Sequence, residues 1–537
     1  DLHSFPTRRS SDLFVTASLT ISESALLAGI LPAPSAYDPA VSPQTAKDRW
    51  ARVLQFMAED GYITEQERSA AVFPTTVEDT QTETYGGSNG YLLQMVRAEL
   101  RDSAKLTDDQ IDAGGYQIVT TISKEDQDAA VAAVKALPSG YSSNLKVALV
   151  SMDATNGGIL ALYGGSDFLT NQVNSATSAI AQAGSTYKPF ALVAALENGA
   201  TLANTFDGSS PQTIDGTQFQ NFQNVSYGMV NLVRATQDSI NTAYLHLNDA
   251  VGPEKTNDVA VRAGYPQDTQ GMNTYLQNVL GSASPHTLDI ATAYTTFASQ
   301  GTRYTPHIVS KATNRSGDVV YSGPTSGEKV FDDDVMADAT YAMQQVVKNG
   351  SGKTAQELGR PVAAKTGSSS DNKSAQFAGF TPQIATAVTL YQSGPNGEEE
   401  SITPWGDYDE ITGSTYPADI FTAYMKTALN GLEVKDFPER SSGSSQPGKL
   451  GGGSALAPQQ ESPATAQPQE PVEPGNQSTG APEPGNGRLQ NPEPGGTGRQ
   501  NPGGDNGDDN GGGNGQNPGG DNGGDRKSTR LNSSHLR

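Results

Sequence analysis

Apolar positions along this chain recur at helix or strand spacing up to about residue 434 and nearly vanish beyond it. Near the start, Thr20 and Glu23 stand at capping-box spacing ahead of Ala25, Leu26, Leu27 and Ala28, and Gly29 and Pro32 end the helix this predicts. A second helix is expected over 46–60, with Val53, Leu54 and Met57 on one side and Gly61 as its stop. A polar, Gly-rich stretch over 74–90 marks a boundary, after which 91–106 reads as an amphipathic helix, 118–122 as a strand and 124–137 as an Ala/Val-rich helix. Strands at 147–152 and 159–163 join across Asn156-Gly157-Gly158 as a hairpin. Helices are expected at 190–197, 230–248 and 287–300, and strands return at 362–368, 375–380 and 384–390. Two opening strands, inner helices and returning strands predict an α+β fold, with an antiparallel sheet flanked by helices.

Composition narrows the function. Of 537 residues only 35% are apolar, so much of the chain is not core. A formal charge of -24 without a Lys/Arg cluster argues against nucleic acid. The absence of cysteine excludes disulfides and thiolate chemistry, and five histidines show no metal-ligand spacing. No cofactor is expected for the main domain. No run approaches the ~18 apolar residues of a membrane span, and nothing resembles a signal peptide. Residues 435–524 are rich in Pro, Gly, Asn, Ser and Gln and repeat the heptad of 501–507 at 517–523; this tail is expected to be disordered and to serve reach. Residues 1–13 and 525–537 resemble translated sequencing adaptors and are set aside as artefacts, so that a membrane anchor is expected in the full gene, upstream of what is present here.

Three short stretches carry chemistry. Ser185 and Lys188 are three apart, which on a helix puts both on one face, and Pro189 is tolerated only near a helix start, where the dipole favours developing negative charge. A lysine titrating near ~10.4 acts as a base only if burial or neighbouring cations bring it to ~8, which costs about 3 kcal/mol. Lys365 is the candidate second cation. Ser239 and Asn241 share a face only if the backbone is extended or turning; a hydroxyl and an amide then both enter a cleft. In the strand carrying Lys365, Thr366, Gly367 and Ser368, the glycine lets substrate lie against backbone, and the Thr366 and Ser368 hydroxyls suit a carboxylate. Each stretch alone also reads as ordinary structure: a helix cap beside an exposed lysine, a second cap, and a bulge glycine. Together they form a serine acyl-transfer centre using lysine in place of histidine. A histidine triad from His246, His286 or His307 is the rival of another kind, but none sits beside a nucleophile elbow.

This order of motifs resembles the transpeptidase domain of class A penicillin-binding proteins over about 91–428, a motif set known for its S-x-x-K and K-T-G elements. The text around 184–190, 280–282, 291–298, 350–352 and 379–382 fits, and 21–29, 32–39 and 49–57 look like the last part of that family's glycosyltransferase domain. The resemblance implies a glycosyltransferase stub over 14–85, a linker module over 86–140 and a penicillin-binding transpeptidase domain over 141–434. It also implies that Ser185 is the acylated nucleophile, Lys188 its base and Ser239 the proton carrier to the leaving group. Asn241 would hold the donor peptide, and Lys365, Thr366 and Ser368, beside Gly367, would receive the substrate or β-lactam carboxylate. The amides of Ser185 and Ser368 would form the oxyanion hole. Peptidoglycan stem peptides, β-lactams and cell-wall synthesis proteins are the implied partners, on the extracytoplasmic face of the bacterial membrane.

Ala183 stands where that family often has Pro, and Gln376 where an aromatic is common, departures that bear on acceptor-side contacts and leave the chemistry intact. The catalytic glutamates of the glycosyltransferase lie upstream, so glycan polymerisation is expected only of the full-length protein; Glu23 remains and also reads as a cap. A D,D-carboxypeptidase, a β-lactamase-like hydrolase and a non-catalytic penicillin sensor are the alternatives, although no Glu-x-x-Leu-Asn is present to activate a deacylating water.

Overall fold

In the computed structural model, which describes residues 19–34, 36–76, 84–440 and 446–450, the strands expected at 147–152, 159–163, 362–368, 375–380 and 384–390 form one antiparallel sheet. Its order is Ala363–Ser368, Ser374–Phe380, Ile384–Ser393, Leu145–Asp153, Ile159–Tyr163, with Glu399–Glu400 added to Ile384–Ser393. Nearly all of the expected tail and both adaptor-like ends lie outside the described residues. The strands read as apolar runs because both faces of the sheet are covered. Ala148, Val150 and Met152 enter one core, while Val147 and Leu149, one residue out of phase, enter the other. The first core holds the helices Lys188–Glu197, Asn241–Val251, Thr287–Ala298 and Asp333–Lys348; the second holds Tyr416–Ala428 and Lys124–Lys135.

The helix Lys188–Glu197 is the centre of the first core. Phe190, Leu192 and Val193 are wholly buried, each such side chain stabilising the fold by about 1.5–3 kcal/mol. Phe190 meets Tyr265 edge-on at 5.1 Å and lies 5.8 Å from Phe297. Its apolar character on every side, legible in the sequence, is that of a helix surrounded by protein.

One expected helix is broken. Residues 230–248 form instead a short strand Met229–Asn231, a helix Leu232–Gln237 capped by Asn231, and a second helix Asn241–Val251. Ser239 between them is left-handed, φ 56°, a conformation costing a non-glycine residue about 1–2 kcal/mol. The helices Pro253–Ala263, Asp333–Lys348 and Tyr416–Ala428 were not foreseen. A signal for the second existed: acids at 332–334 precede apolar Met336, Ala339, Met343 and Val346 at helical spacing.

The strand expected at 118–122 is Gln117–Thr120, and its partner Val309–Thr313 comes from far along the chain, followed by Val319–Ser322. Glu99, on the helix Asn89–Asp102, accepts hydrogen bonds from Ile308 N at 2.6 Å and Tyr321 Oη at 2.9 Å, tying the two segments together. At the N-terminal end the helix Ile21–Ile30 carries the predicted capping box: Glu23 accepts from Thr20 N at 2.8 Å, and Thr20 from Glu23 N at 3.2 Å. With Pro43–Glu59 and Glu65–Ala70 it forms a small core around Ala25, Leu54 and Ile63. Among the described residues no helix is long and apolar enough to cross a membrane.

Candidate active site

Ser185 lies in a single 3-10 turn, Gly184–Tyr187, that runs directly into the helix Lys188–Glu197. The sequence explains the junction, since Pro189 at the second helical position lacks only an amide hydrogen with no intrahelical acceptor. The turn is gripped on two sides by main chain. Ala183 N donates to Ala283 O at 2.8 Å and Gly184 N to Gly281 O at 3.1 Å. On the opposite side Gly184, φ 53°, lies so near Ser368 that a Cβ there would stand 2.6 Å from Ser368 O. A Cβ at Gly367 would stand 2.6 Å from Ala183 O and 2.8 Å from Thr186 Cγ2. The clearance at Gly367, expected to admit substrate, is therefore occupied by the Ser185 turn itself.

Lys188 is wholly buried, and its amine meets Ser239 O at 2.6 Å, Asn241 Oδ1 at 2.7 Å and Ser239 Oγ at 3.1 Å. The Tyr244 ring lies beside it, 5.5 Å from Nζ to the centroid. Lys365, also wholly buried, donates to Ser239 Oγ at 2.8 Å and to Thr366 O at 3.0 Å. The left-handed turn at Ser239 has its use here, because it brings the carbonyl and hydroxyl of Ser239 and the amide of Asn241 onto one amine. Ile240 N, donating to Ala235 O at 3.0 Å, helps to sustain it.

Burial pushes the Lys188 amine well below the ordinary lysine range, and the neighbouring charge of Lys365 pushes it further. Burial alone brings Lys365 down to about 7. The Lys188 amine thus has three oxygens within donor reach, two carbonyls and Ser239 Oγ, and Lys365 donates to the last of these as well. No hydrogen bond joins Lys188 Nζ to Ser185 Oγ. The direct reach expected from the three-residue spacing is not made, since carbonyl oxygens take the amine's donors.

Asn241 uses its second polar atom as well, Nδ2 donating to Gln220 O at 2.8 Å, with one N–H left over. Thr366 Oγ1 shares a hydrogen bond of 2.6 Å with Ser351 Oγ, and Ser368 Oγ accepts from Gly413 N at 3.1 Å. Lys188, Ser239, Asn241 and Lys365 thus form one hydrogen-bonded set, with the Ser185 turn and the strand bearing Thr366, Gly367 and Ser368 packed together beside it. Ser351, Gln220 and Gly413 were missed as contributors. Ser351 had a signal in the motif text of 350–352; the others are main-chain contacts that side-chain chemistry does not announce. The three histidines go elsewhere: His246 to Gln212 Oε1, His286 to Ala179 O and His307 to Thr305 O, at 2.7, 2.9 and 3.1 Å.

Comparison with known proteins bears on the same residues. The penicillin-binding protein transpeptidase domain family matches 147–404, and the transglycosylase family matches 14–58. Penicillin-binding protein 1A of Mycolicibacterium smegmatis is 35% identical over 481 residues, covering 85% of this chain and 59% of that protein. Its counterpart from Mycobacterium tuberculosis is 34% identical over 450 residues, covering 78% and 53%. The chain therefore spans little more than half the length of these curated relatives. The solved structure of the PonA1 protein from Mycobacterium tuberculosis in complex with penicillin V is 31% identical, with a TM-score of 0.61, covering 67% of this chain and 98% of that one. Penicillin-Binding Protein 1A from Haemophilus influenzae, at 22% identity and a TM-score of 0.64, shares the fold over 79% of this chain and 82% of its own. A relative matched along nearly its whole length, and two family domains in the order transglycosylase then transpeptidase, establish that this chain belongs to the class A penicillin-binding proteins.

Proposed function

We propose that the chain is a serine D,D-transpeptidase that cross-links peptidoglycan stem peptides through an acyl-enzyme on Ser185, and that β-lactams acylate the same oxygen. The observation that carries this reading is the buried Lys188, held among Ser239, Asn241 and Lys365 one turn from Ser185. Ser185 Oγ attacks the donor carbonyl carbon and its proton passes to the Lys188 amine. Ser239, in contact with both lysines, carries a proton to the leaving nitrogen as the C–N bond breaks. An acceptor amine then attacks the ester, and Ser185 regains its proton. The free N–H of Asn241 suits the donor peptide, and the hydroxyls of Thr366 and Ser368, backed by the charge of Lys365, suit the terminal carboxylate. Lys365 acts on that carboxylate through charge and through Thr366, being itself buried. The amides of Ser185 and Ser368 serve the oxyanion. Glycan polymerisation belongs to the full-length protein, which would work at the extracytoplasmic face of the bacterial membrane with other cell-wall proteins.

The test is to treat the protein with fluorescent penicillin, weigh it intact, map the adduct, and supply stem peptide with an amine acceptor. The expected result is one adduct on the peptide containing Ser185, and a cross-linked product. An adduct on another residue, or none, overturns the reading; release of hydrolysed peptide alone would make the protein a carboxypeptidase.

Two further outcomes follow from the geometry. Gly367→Ala should slow acylation by about 10²-fold, because the new methyl group collides with Ala183 O and Thr186 and shifts the Ser185 turn; penicillin acylation kinetics measure this, and a parent-like rate would contradict it. Lys365→Met removes the positive charge that helps to depress Lys188. The Lys188 pKa then rises, so a higher pH is needed to obtain neutral amine, and the acid limb of the acylation profile should move upward in pH. An unmoved limb would show the two lysines to be uncoupled.

A further inference from the structure

We infer that Gln376 positions Ser185 for acylation by holding both ends of its turn to the sheet, an assignment that rests on the acyl-enzyme reading above. Gln376 occupies the strand Ser374–Phe380 directly opposite Gly367 in register and is 1% exposed. A buried amide must find partners for its donors and its acceptor. Those of Gln376 lie on either side of the serine. Nε2 donates to Gln182 O at 2.9 Å, three residues before Ser185, and Oε1 accepts from Thr186 Oγ1 at 3.1 Å, one residue after it. The single Thr186 hydroxyl hydrogen is shared between Gln376 Oε1 and Ala183 O, the latter at 2.7 Å, so this contact both closes the turn upon itself and joins it to the sheet.

Ser185 is half-buried, and among the described residues its hydroxyl makes no hydrogen bond, so the main chain of the turn sets where its Cβ stands and hence the few rotamer positions open to its oxygen. That main chain is fixed on the Gly281 side by peptide hydrogen bonds. On the sheet side Gly367 offers no side chain, and Gln376 across from it supplies the tether. An aromatic residue at 376 would fill space but could not make this pair of bonds. With both polar atoms of its buried amide engaged on Gln182 and Thr186, Gln376 acts through the turn and is a positioning residue. Ser374 Oγ also donates to Gln182 O, at 2.7 Å, so that carbonyl keeps a partner when Gln376 is replaced.

The experiment compares Gln376→Met, similar in size and without hydrogen bonds, with Thr186→Val and Thr186→Ser. Fluorescent-penicillin kinetics separate the first-order acylation constant from the non-covalent dissociation constant, and thermal melting reports folding. Gln376→Met is expected to lose about 10- to 100-fold in the acylation constant with the dissociation constant unchanged, as a misplaced reacting atom requires. Thr186→Val should lose less in the same direction, and Thr186→Ser, which keeps the hydroxyl, should restore the parent rate. A parent-like acylation constant in Gln376→Met and Thr186→Val, or a loss confined to the dissociation constant, overturns the assignment. Should Gln376→Met fail to fold, the Thr186 pair decides: a serine variant as slow as the valine variant overturns it. A parent without an adduct on Ser185 would instead overturn the acyl-enzyme reading, and this assignment with it.

Discussion

Ser185→Ala is expected to fold like the parent and to carry no penicillin adduct. The hydroxyl it removes is half-buried and makes no hydrogen bond among the described residues, so its loss changes stability by no more than about 0.5 kcal/mol. The chemistry has no substitute for it, because acyl transfer through an ester needs an oxygen at this point in the turn. Removal of the nucleophile from a serine enzyme lowers turnover on the order of 10⁶-fold, which in an intact-mass experiment is complete loss of the adduct. Equal melting temperatures with a vanished adduct are the expected pair of results. An adduct that survives would mean that another residue is acylated.

Lys188→Met should slow acylation by about 10²- to 10⁴-fold, the range a positioned general base provides. Its effect on stability has two opposed parts. Ser239 O and Asn241 Oδ1 lose the amine that serves them at 2.6 and 2.7 Å, and each such orphaned group costs about 1–3 kcal/mol. Against that, the variant no longer buries an amine. The Lys188 pKa is depressed on folding, so below the ordinary lysine pKa the unfolded chain binds a proton that the folded chain resists. The parent therefore gains stability as pH rises from the depressed value toward about 10.5, while the variant lacks this gain. The difference in unfolding free energy between them should widen with pH, as denaturant titrations at neutral pH and at pH 9 measure. A gap that stays constant would show that Lys188 is charged in the folded protein as it is in the unfolded one.

Much of the machinery was legible because it depends on short-range spacing. Thr20 and Glu23 form the cap that their three-residue separation announces, and the apolar text after Pro189 becomes a wholly buried helix. The strands at 147–152, 362–368, 375–380 and 384–390 appear within a few residues of where β-branched and alanine-rich runs place them. The break at Ser239 was not legible. Nothing local forbids a continuous helix over 230–248; the left-handed residue is held by what it offers to Lys188, some fifty residues earlier in the chain. The part that Gly367 and Gln376 play toward the Ser185 turn was not legible for a related reason. Each was read for what it offers a substrate, and both also face the Ser185 turn, a neighbour that no spacing within their own strands reveals.

By itself the sequence determined the kinds of element, the presence of a serine and two lysines in motifs suited to acyl transfer, and the helix start that bears Ser185. Those are matters of backbone propensity, capping and periodicity, which act over a few residues. Only the tertiary structure decided that Lys188 is buried against Ser239 and Asn241, that Lys365 shares the same hydroxyl, and that the turn of Ser185 is clamped between Gly281 and the sheet. Desolvation and hydrogen-bond satisfaction depend on which distant segments meet, and it is they that set the charge of an amine and the place of an oxygen.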